Sequence, residues 1–471
     1  MTADTAVGDT RSPTGRPIGR GLTAGAVTAV TASGFVAACG PAAVIVLSAV
    51  ALVIVVAWRP VFAIYFYLAT LPFIAGFERG TLIPGVRLNE ALLVVLVAGA
   101  LAGGYIRGVR GVRFQPRAGP LDVPLAGFAV AAVLWPLASM LVRGVDPGRD
   151  DVAAVLPVVK LAALYVLVRV TVRVGTQVVW CIRLMVASAT GVAAIAVLQT
   201  LGFEPILRIL RAIDPTASYV VDRGATTLMN PIASGDYILI GLVLLVTSSS
   251  RNLFRPWIRT GAGFVLTAGV FAAGQFSTWL AALVVAALLF WRTPAARRSA
   301  LRLLPLLCVA ALVGAPAVIR RVLDFSAGSL PVSWQVRFDN LAHLYLPTLI
   351  GRGGFLIGVS PDSVVVPPDT VRDTVYMESG YLQLLWIGGL PLFIAFVALS
   401  YALLRNSSRL ASRADGVGAC ASALFVVWGM VIVLMVLDAH LYMRGVGDLI
   451  FVLFGIVGGC HAREGTDDDD R

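Results

Sequence analysis

The chain contains few charged residues. Only 13% of its 471 residues are Asp, Glu, Lys or Arg, against roughly 25% in ordinary soluble domains. A soluble protein of this size could not cover its surface with so few charges, so a soluble enzyme is excluded. The mean hydropathy of +0.87 indicates a polytopic membrane protein.

Lysine, histidine and cysteine are also scarce. Lys160 is the single lysine, and the three histidines are His343, His440 and His461. The five cysteines form no CxxC pair, which argues against a disulfide framework or a zinc site. The sequence contains no Walker A, HExxH or GxSxG motif. We therefore expect no cofactor and no metal.

Arginine accounts for nearly all of the positive charge, which gives a net charge of +11. In a membrane protein, basic residues mark cytoplasmic loops, so the charge does not predict a nucleic-acid partner. High Arg, Ala, Val and Gly contents are typical of a GC-rich bacterium.

Apolar segments dominate the chain, and a full membrane crossing needs about 20 such residues. The fold is predicted to be all-α, with about 12–14 transmembrane helices. Eleven lie within residues 21–319 and three within 381–460. The candidate spans are Leu22–Ala38, Pro41–Trp58, Pro60–Ala75, Asn89–Ile106, Leu121–Val142, Val152–Thr171, Gln177–Leu201, Ile232–Thr247, Gly261–Gly274, Phe276–Trp291, Leu303–Ile319, Tyr381–Leu404, Gly416–Leu437 and Asp448–Gly459.

Four loops carry most of the arginines. The span count puts all four on the same side as the N-terminus, and the positive-inside rule makes that side cytoplasmic. We expect a multi-pass protein of the bacterial cytoplasmic membrane, with a disordered lead at 1–20 and an acidic tail at 461–471, both cytoplasmic. The basic loops contain Arg107, Arg110, Arg113 and Arg117; Arg251, Arg255 and Arg259; Arg292, Arg297, Arg298 and Arg302; and Arg405, Arg409 and Arg413.

The polar stretch at 320–380 lies between two predicted spans. Membrane proteins often place their chemistry in such a segment, so we predict an ordered extracytoplasmic loop that caps a cavity. A shorter external loop at 202–231 contains Glu204–Ile213, whose helical periodicity suggests a helix on the outer leaflet. The last external loop carries Asp438, His440 and Arg444.

Mixed arginines and carboxylates in the long loop suit a phosphate-bearing substrate. Arginine presents a planar fork to phosphate oxygens, and a carboxylate can take a proton from a hydroxyl. A merely solvated loop explains most of these charges equally well. They are Arg320, Arg321, Asp324, Arg337, Asp339, His343, Arg352, Asp362, Asp369, Arg372, Asp373 and Glu378.

Three sequence patterns follow one another along the second half of the chain. Arg223 precedes Asn230-Pro231 before a mid-chain span, Arg337 precedes Gly351-Arg352-Gly353-Gly354, and Glu378-Ser379-Gly380-Tyr381-Leu382 leads into a helix containing Gly388-Gly389. This order, over roughly residues 223–404, resembles the bacterial O-antigen ligase and O-antigen polymerase-like membrane proteins.

The resemblance implies transfer of a glycan from undecaprenyl diphosphate to a sugar hydroxyl. Glu378 would be the base, with Arg337 also catalytic, and Arg223, Arg337 and Arg352 would bind the diphosphate. Asn230, Lys160 and His343 are possible additional site residues. The implied partners are a lipid-linked oligosaccharide, a glycan acceptor and the bilayer, with a flippase and a chain-length regulator as further possibilities.

Two departures separate the chain from the ligases of this family. Glu378 stands where they usually carry histidine, and Ser277-Thr278-Trp279 replaces a Ser-Arg pair at a helix start. The first favours a polymerase over a ligase, and the second removes a phosphate contact.

Two other functions are compatible with the sequence. A flippase for lipid-linked sugars would need charges within the spans, and Lys160 is such a charge. Lys160 is also explained as half of a structural ion pair. The third possibility is a non-catalytic subunit of an exopolysaccharide assembly system. The sugar, linkage and acceptor are not predictable from the sequence.

Overall fold

The computed structural model describes residues 41–80, 85–111, 118–213, 223–292, 332–351, 353–365 and 375–459. These residues are helical apart from turns and one pair of two-residue strands, β1 (Val364–Val365) and β2 (Val375–Tyr376), which pair antiparallel. The main helices are α1 Pro41–Trp58, α2 Val61–Ile74, α3 Leu88–Val109, α4 Asp122–Val142, α5 Arg149–Thr171, α6 Gly175–Thr200, α7 Glu204–Ile213, α8 Pro231–Ser249, α9 Pro256–Ala272, α10 Phe276–Arg292, α11 Val332–Asn340, α12 Leu346–Gly351, α13 Gly354–Ile357, α14 Gly380–Leu410, α15 Gly416–Leu434 and α16 Val446–Gly458.

Seven of these helices are long and apolar enough to cross a membrane, which confirms the prediction of a helical multi-pass protein. Twelve of the predicted spans coincide with a helix to within a few residues. The other two, Leu22–Ala38 and Leu303–Ile319, lie outside the described residues, as do the lead at 1–20 and the tail at 461–471.

Helices α8, α15 and α16 form the centre of the bundle. Buried residues make up 78% of the apolar window of α8 but only 28% of that of α3, so α3 lies at the periphery. Close helix contacts depend on small residues, as is common in membrane bundles. A Cβ atom on Gly269 of α9, for example, would lie 2.5 Å from the Ala193 side chain of α6.

The outer surface of the bundle is apolar, as expected for contact with lipid. Leu101, Leu134 and Leu283 each expose more than half of their surface. Five exposed Trp and Tyr residues lie close in sequence to an arginine at or near a helix end, where such residues are typical of the membrane–water interface. They are Trp58, Tyr105, Trp257, Trp291 and Tyr401.

One end of the bundle, here called the basic end, gathers the basic loops. Arg251 donates to the carbonyls of Ala411 at 2.7 Å and Arg413 at 3.0 Å, and Arg292 donates to the Ser408 carbonyl at 3.3 Å. These contacts place three of the four predicted basic loops together, as the span count predicts.

The described parts of the long loop form a cap over the opposite end, here called the site end. Helices α12 and α13 and strand β1 pack against α14. Tyr345, between α11 and α12, places its ring in edge-to-face contact with that of Trp386 at 5.5 Å. The Val359 amide donates to the Trp386 carbonyl at 2.6 Å. The cap is therefore ordered and more helical than an irregular loop, because apolar side chains anchor it.

Two glycines allow the cap to approach α14 closely. Gly389 has φ 61 and breaks the regular helix, and a Cβ atom there would lie 2.5 Å from the Leu356 carbonyl. Gly358 on the cap, at φ +90, faces the Ile387 carbonyl. Only glycine adopts these conformations without strain, which explains Gly388-Gly389 in the sequence pattern.

Helix α16 has 13 residues and is therefore about 20 Å long, shorter than the hydrocarbon core of a bilayer. The preceding segment, Asp438–Arg444, includes a 3₁₀ turn at His440–Tyr442 and is largely buried at the site end. The short helix thus leaves room for a polar segment inside the bundle.

Candidate functional site

The segment Asp438–Arg444, here called the inner loop, connects the polar groups at the site end. Asp438 contacts the cap through Arg337, and His440 contacts α8 through Asp236. Arg444 donates to the Gly76 carbonyl at 2.7 Å and pairs with Glu78. These contacts bring three distant parts of the chain to one place.

Arg337 lies between two carboxylates. Its Nε atom is 2.6 Å from Glu378 Oε2, and its Nη2 atom is 3.3 Å from Asp438 Oδ1. Nη1 also donates to the Leu437 carbonyl at 3.3 Å. The structure therefore brings together the two residues that the sequence predicts as catalytic, and adds Asp438, which is 8% exposed.

Glu378 and Ser379 immediately precede α14, whose first turn is fixed by Tyr381. The Tyr381 amide donates to the Met435 carbonyl at 3.2 Å, and its hydroxyl donates to Ile432 at 2.6 Å. A Cβ atom on Gly380 would lie 2.4 Å from the Met435 sulfur. This packing positions the Glu378 carboxylate, which remains 40% exposed.

A small cavity of about 120 Å³ opens beside this ion pair. Arg337 and Glu378 line it together with apolar side chains from the cap and from the end of α15, including Leu341, Tyr345 and Leu437. The carboxylate is thus accessible to a small group such as a hydroxyl.

A second ion pair, between His440 and Asp236, is fully buried behind the first one. His440 Nδ1 is 2.6 Å from Asp236 Oδ2, and both side chains have no exposed surface. Burial lowers the pKa of His440, but the carboxylates of Asp236 and Asp438 outweigh burial and raise this pKa above its ordinary value. Burial raises the pKa of Asp438, and Arg337 and His440 offset only part of that effect.

A larger cavity of about 360 Å³ lies on the other side of the inner loop. Its walls come from the loop before α3, the start of α5, the cap, α14 and the inner loop. Its polar lining side chains are Arg79, Arg87, Asp150, Asp362, Ser363, Gln383 and Tyr442.

Arg223 and Asn230 lie on the segment that leads into α8. Arg223 is half-buried, and its carbonyl accepts a hydrogen bond from Gln199 at 2.6 Å. The Asn230 side chain accepts from the Ala233 amide at 2.9 Å and caps α8, with Pro231 at the first position. Helix capping gives the Asn230-Pro231 pair a structural role. A role of Asn230 in the site stays a prediction.

Lys160 and His343 contact neither cavity. Lys160 pairs with Asp448 at 2.8 Å, and this buried aspartate also accepts from the Tyr67 hydroxyl. The structural interpretation of Lys160 is therefore favoured. His343 pairs with Asp339 one turn earlier, and both side chains are mostly exposed. Arg352 lies outside the described residues.

The structure adds residues that sequence reasoning did not select. Arg79 and Arg87 lie in the segment between α2 and α3, and Asp236 lies inside a predicted span. Aspartate inside a span was the available signal for Asp236. Within the described ranges, no three His, Cys, Asp or Glu side chains converge in a way that could hold a metal ion.

No protein-family model matches the chain, and no curated protein matches it.

Proposed function

We propose that this protein transfers a glycan from undecaprenyl diphosphate to a sugar hydroxyl, as a polysaccharide polymerase or ligase of the cell envelope. The observation that carries the proposal is the Glu378 carboxylate, which is held by Arg337 at an accessible cavity beside a second, arginine-lined cavity. The sequence pattern that leads to Glu378 supports the same reaction.

In the proposed reaction, the acceptor hydroxyl attacks the anomeric carbon of the donor sugar. The new carbon–oxygen bond forms as the bond to the diphosphate breaks, and the diphosphate leaves with the electron pair. Glu378 accepts the hydroxyl proton. Because the donor already carries its leaving group, no nucleotide is needed.

Arg337 has a positioning role in this reaction. Its charge already faces two carboxylates, Glu378 and Asp438, so it has little capacity to neutralise a diphosphate as well. It orients Glu378 toward the small cavity and ties the cap to the inner loop. The negative charge that builds on the leaving group requires other cations at the site end.

The proposal places the basic end in the cytoplasm of a bacterium and the site end outside the membrane, following the positive-inside rule. This orientation can be measured by single cysteines in a cysteine-free variant. Arg255→Cys at the basic end should react with a membrane-impermeant thiol reagent only after cells are permeabilised, and Arg211→Cys at the site end should react in intact cells. The reverse pattern would contradict the orientation.

The direct test uses purified protein in lipid with undecaprenyl-diphosphate-linked repeat units and membrane glycans from the same host. A ladder of products on a gel would establish a polymerase, and a single transfer to a host glycan would establish a ligase. Neither product, from a folded preparation, would contradict the enzyme proposal and favour a flippase or an assembly subunit.

A flippase is the second candidate because of one observation. Lys160, Asp448 and Tyr67 form a buried polar group in the centre of the bundle, and intramembrane ion pairs occur in transport pathways. A flippase would move a fluorescent lipid-linked sugar across vesicles, and Lys160→Met with Asp448→Leu would stop it. Unchanged glycan transfer in that double variant would favour the enzyme.

A further inference from the structure

The larger cavity, here called the Arg79–Arg87 cavity, contains polar groups that lack partners. Arg87 Nε, Gln383 Oε1 and the Tyr442 hydroxyl are all buried, and each lacks a hydrogen-bond partner among the described residues. Buried polar atoms in native proteins are nearly always satisfied. Three such atoms around one cavity therefore indicate a ligand with complementary groups.

Arg87 differs from Arg79 and Arg444, the two arginines beside it. Arg79 pairs with Glu90 at 2.8 Å, and Arg444 pairs with Glu78 at 3.2 Å, whereas Arg87 pairs with no carboxylate of the described chain. Burial lowers the pKa of Arg87, the nearby cations Arg444 and Arg79 lower it further, and the carboxylates of Glu90 and Asp448 offset only part of this effect. A cation in these surroundings favours an anion as its partner.

The lining of the cavity has two chemical characters. Arg79, Arg87 and Tyr442 present donors, and arginine forks match the oxygens of a phosphate. Asp150, Asp362 and Gln383 present oxygens that can accept hydrogen bonds from hydroxyls. A ligand that fits both carries a phosphate group beside several hydroxyls, which is the chemistry of a glycosyl phosphate.

The size and position of the cavity agree with this ligand. Its volume of about 360 Å³ is within the usual range for small-molecule sites. Apolar residues such as Val155 and Ile387 complete the wall. The first turn of α14 lines both cavities, through Leu382 and Gln383 respectively, so a sugar bound here is close to the Glu378 site.

We propose that the Arg79–Arg87 cavity binds the glycosyl diphosphate head of the lipid-linked donor. This inference rests on the proposed function and names the cations that would take up the charge of the leaving group. Arg87 supplies the cation, Tyr442 donates a hydrogen bond, and Asp150, Asp362 and Gln383 orient the sugar. Neither Arg79 nor Arg87 belongs to the sequence patterns described above.

Binding, measured without turnover, tests the inference. The full chain in phosphatidylglycerol nanodiscs would be titrated with a farnesyl-diphosphate-linked monosaccharide by calorimetry. We expect Arg87→Gln to weaken binding by at least about tenfold, because it removes a charged donor. The matched control is Arg255→Gln, since Arg255 also precedes a helix without a side-chain cap but is exposed at the basic end. Its affinity should be unchanged.

Tyr442→Phe is a second variant that removes only a hydroxyl without a partner. It should leave the thermal unfolding midpoint unchanged and weaken binding about threefold or more, since one hydrogen bond contributes roughly that factor. Equal affinity of the wild type and both variants would overturn the inference. Competition by phosphatidylethanolamine, with no preference for the saccharide, would also overturn it in favour of a phospholipid site.

Failure of the inference and failure of the proposed function are distinguishable. Binding that depends on Arg87 in a protein that transfers no glycan would support this site and contradict the enzyme. Glycan transfer with unchanged KM in Arg87→Gln would support the enzyme and contradict the site.

Discussion

Arg251 and Arg292 at the basic end differ from Arg337 at the site end in the groups that they bind. At the basic end, Arg251 and Arg292 donate to neutral backbone carbonyls at or just after the C-terminus of α14. At the site end, Arg337 faces the carboxylates of Glu378 and Asp438. Arginine is abundant at both ends, and Arg413 at the basic end also pairs with a carboxylate, that of Asp415. What distinguishes Arg337 is that its partner Glu378 lines a cavity with it.

This difference distinguishes arginines that anchor a loop at the membrane surface from arginines that orient reactive groups. An arginine that binds carbonyls keeps its net charge, which holds the loop at the membrane surface and sets the orientation of the chain. An arginine that binds carboxylates also fixes groups that can exchange protons. Accordingly, we expect substitution of Glu378 or Arg337 to reduce activity, and substitution of Arg251 to affect stability alone.

The largest expected effect is that of Glu378→Gln. The amide keeps the shape of the side chain but cannot accept the hydroxyl proton, and loss of a general base typically slows a reaction by about 10²–10⁴-fold. Glycan transfer by the purified variant would be measured over time. The control is Glu204→Gln at the same end, because Glu204 also pairs with an arginine but is largely exposed. Transfer at the wild-type rate in Glu378→Gln would contradict its role.

Arg337→Ala should abolish transfer and also lower stability. It leaves the Asp438 carboxylate, which is 8% exposed, without its cation, and we expect a loss of about 2–3 kcal/mol in the free energy of unfolding. Adding Asp438→Asn removes the uncompensated charge, so the double variant should recover most of the stability but not the activity.

Denaturant unfolding and transfer assays of the single and double variants separate these two effects. Recovery of activity together with stability would show that Arg337 has only a structural role. A stable but inactive double variant would support its role in positioning Glu378.

Most of the fold could be predicted because the length of an apolar segment can be read from the chain itself, without knowing which residues it packs against. A predominantly apolar segment long enough to span the bilayer forms a helix in lipid wherever it packs, as for α6 with 26 residues and α10 with 17. The break at Gly389 could not be predicted, because it depends on the approach of Gly358 from the cap. The helical content of the cap also depends on contacts with distant residues such as Trp386.

The candidate site was predictable only in part. Arg337 and Glu378 were selected from sequence patterns, and their 2.6 Å contact agrees with that selection. Asp236 and Arg87 were missed because their meaning depends on partners about 200 residues away or on a cavity between several elements. Lys160 is a different case, because the sequence allowed either a functional charge or half of a structural ion pair, and Asp448 provides the partner for the second.

A smaller effect is expected from pH, through the buried pair beside Arg337. The pKa of His440 is raised in the folded protein by Asp236 and Asp438, against the effect of burial. Its contribution to stability is thus fully present below the unfolded value, about 6.5, and is lost as pH rises through the folded pKa. The raised pKa of Asp438 acts in the same direction, because the folded protein binds more protons than the unfolded chain.

Thermal unfolding midpoints at about pH 6 and about pH 9 would measure this effect, which amounts to about 1.4 kcal/mol for each unit of pKa difference. The midpoint should fall with rising pH in the wild type and less steeply in His440→Gln, which cannot titrate. The two groups that face His440 besides Arg337 are Asp236 and Asp438, so Asp236→Asn should also reduce the slope. Equal slopes in all three proteins would contradict the assignment.

The smallest effect should come from Arg251→Ala at the basic end. Three carbonyls, those of Thr247, Ala411 and Arg413, lose a charged donor, but they lie at the membrane surface where water can replace it. The expected loss is about 1 kcal/mol in the free energy of unfolding, with unchanged glycan transfer once the folded fraction is matched. If Arg251→Ala instead reduced transfer as strongly as Arg337→Ala does, the partners of an arginine would not distinguish anchoring from chemistry. The contrast between the two ends would then reduce to their orientation in the membrane.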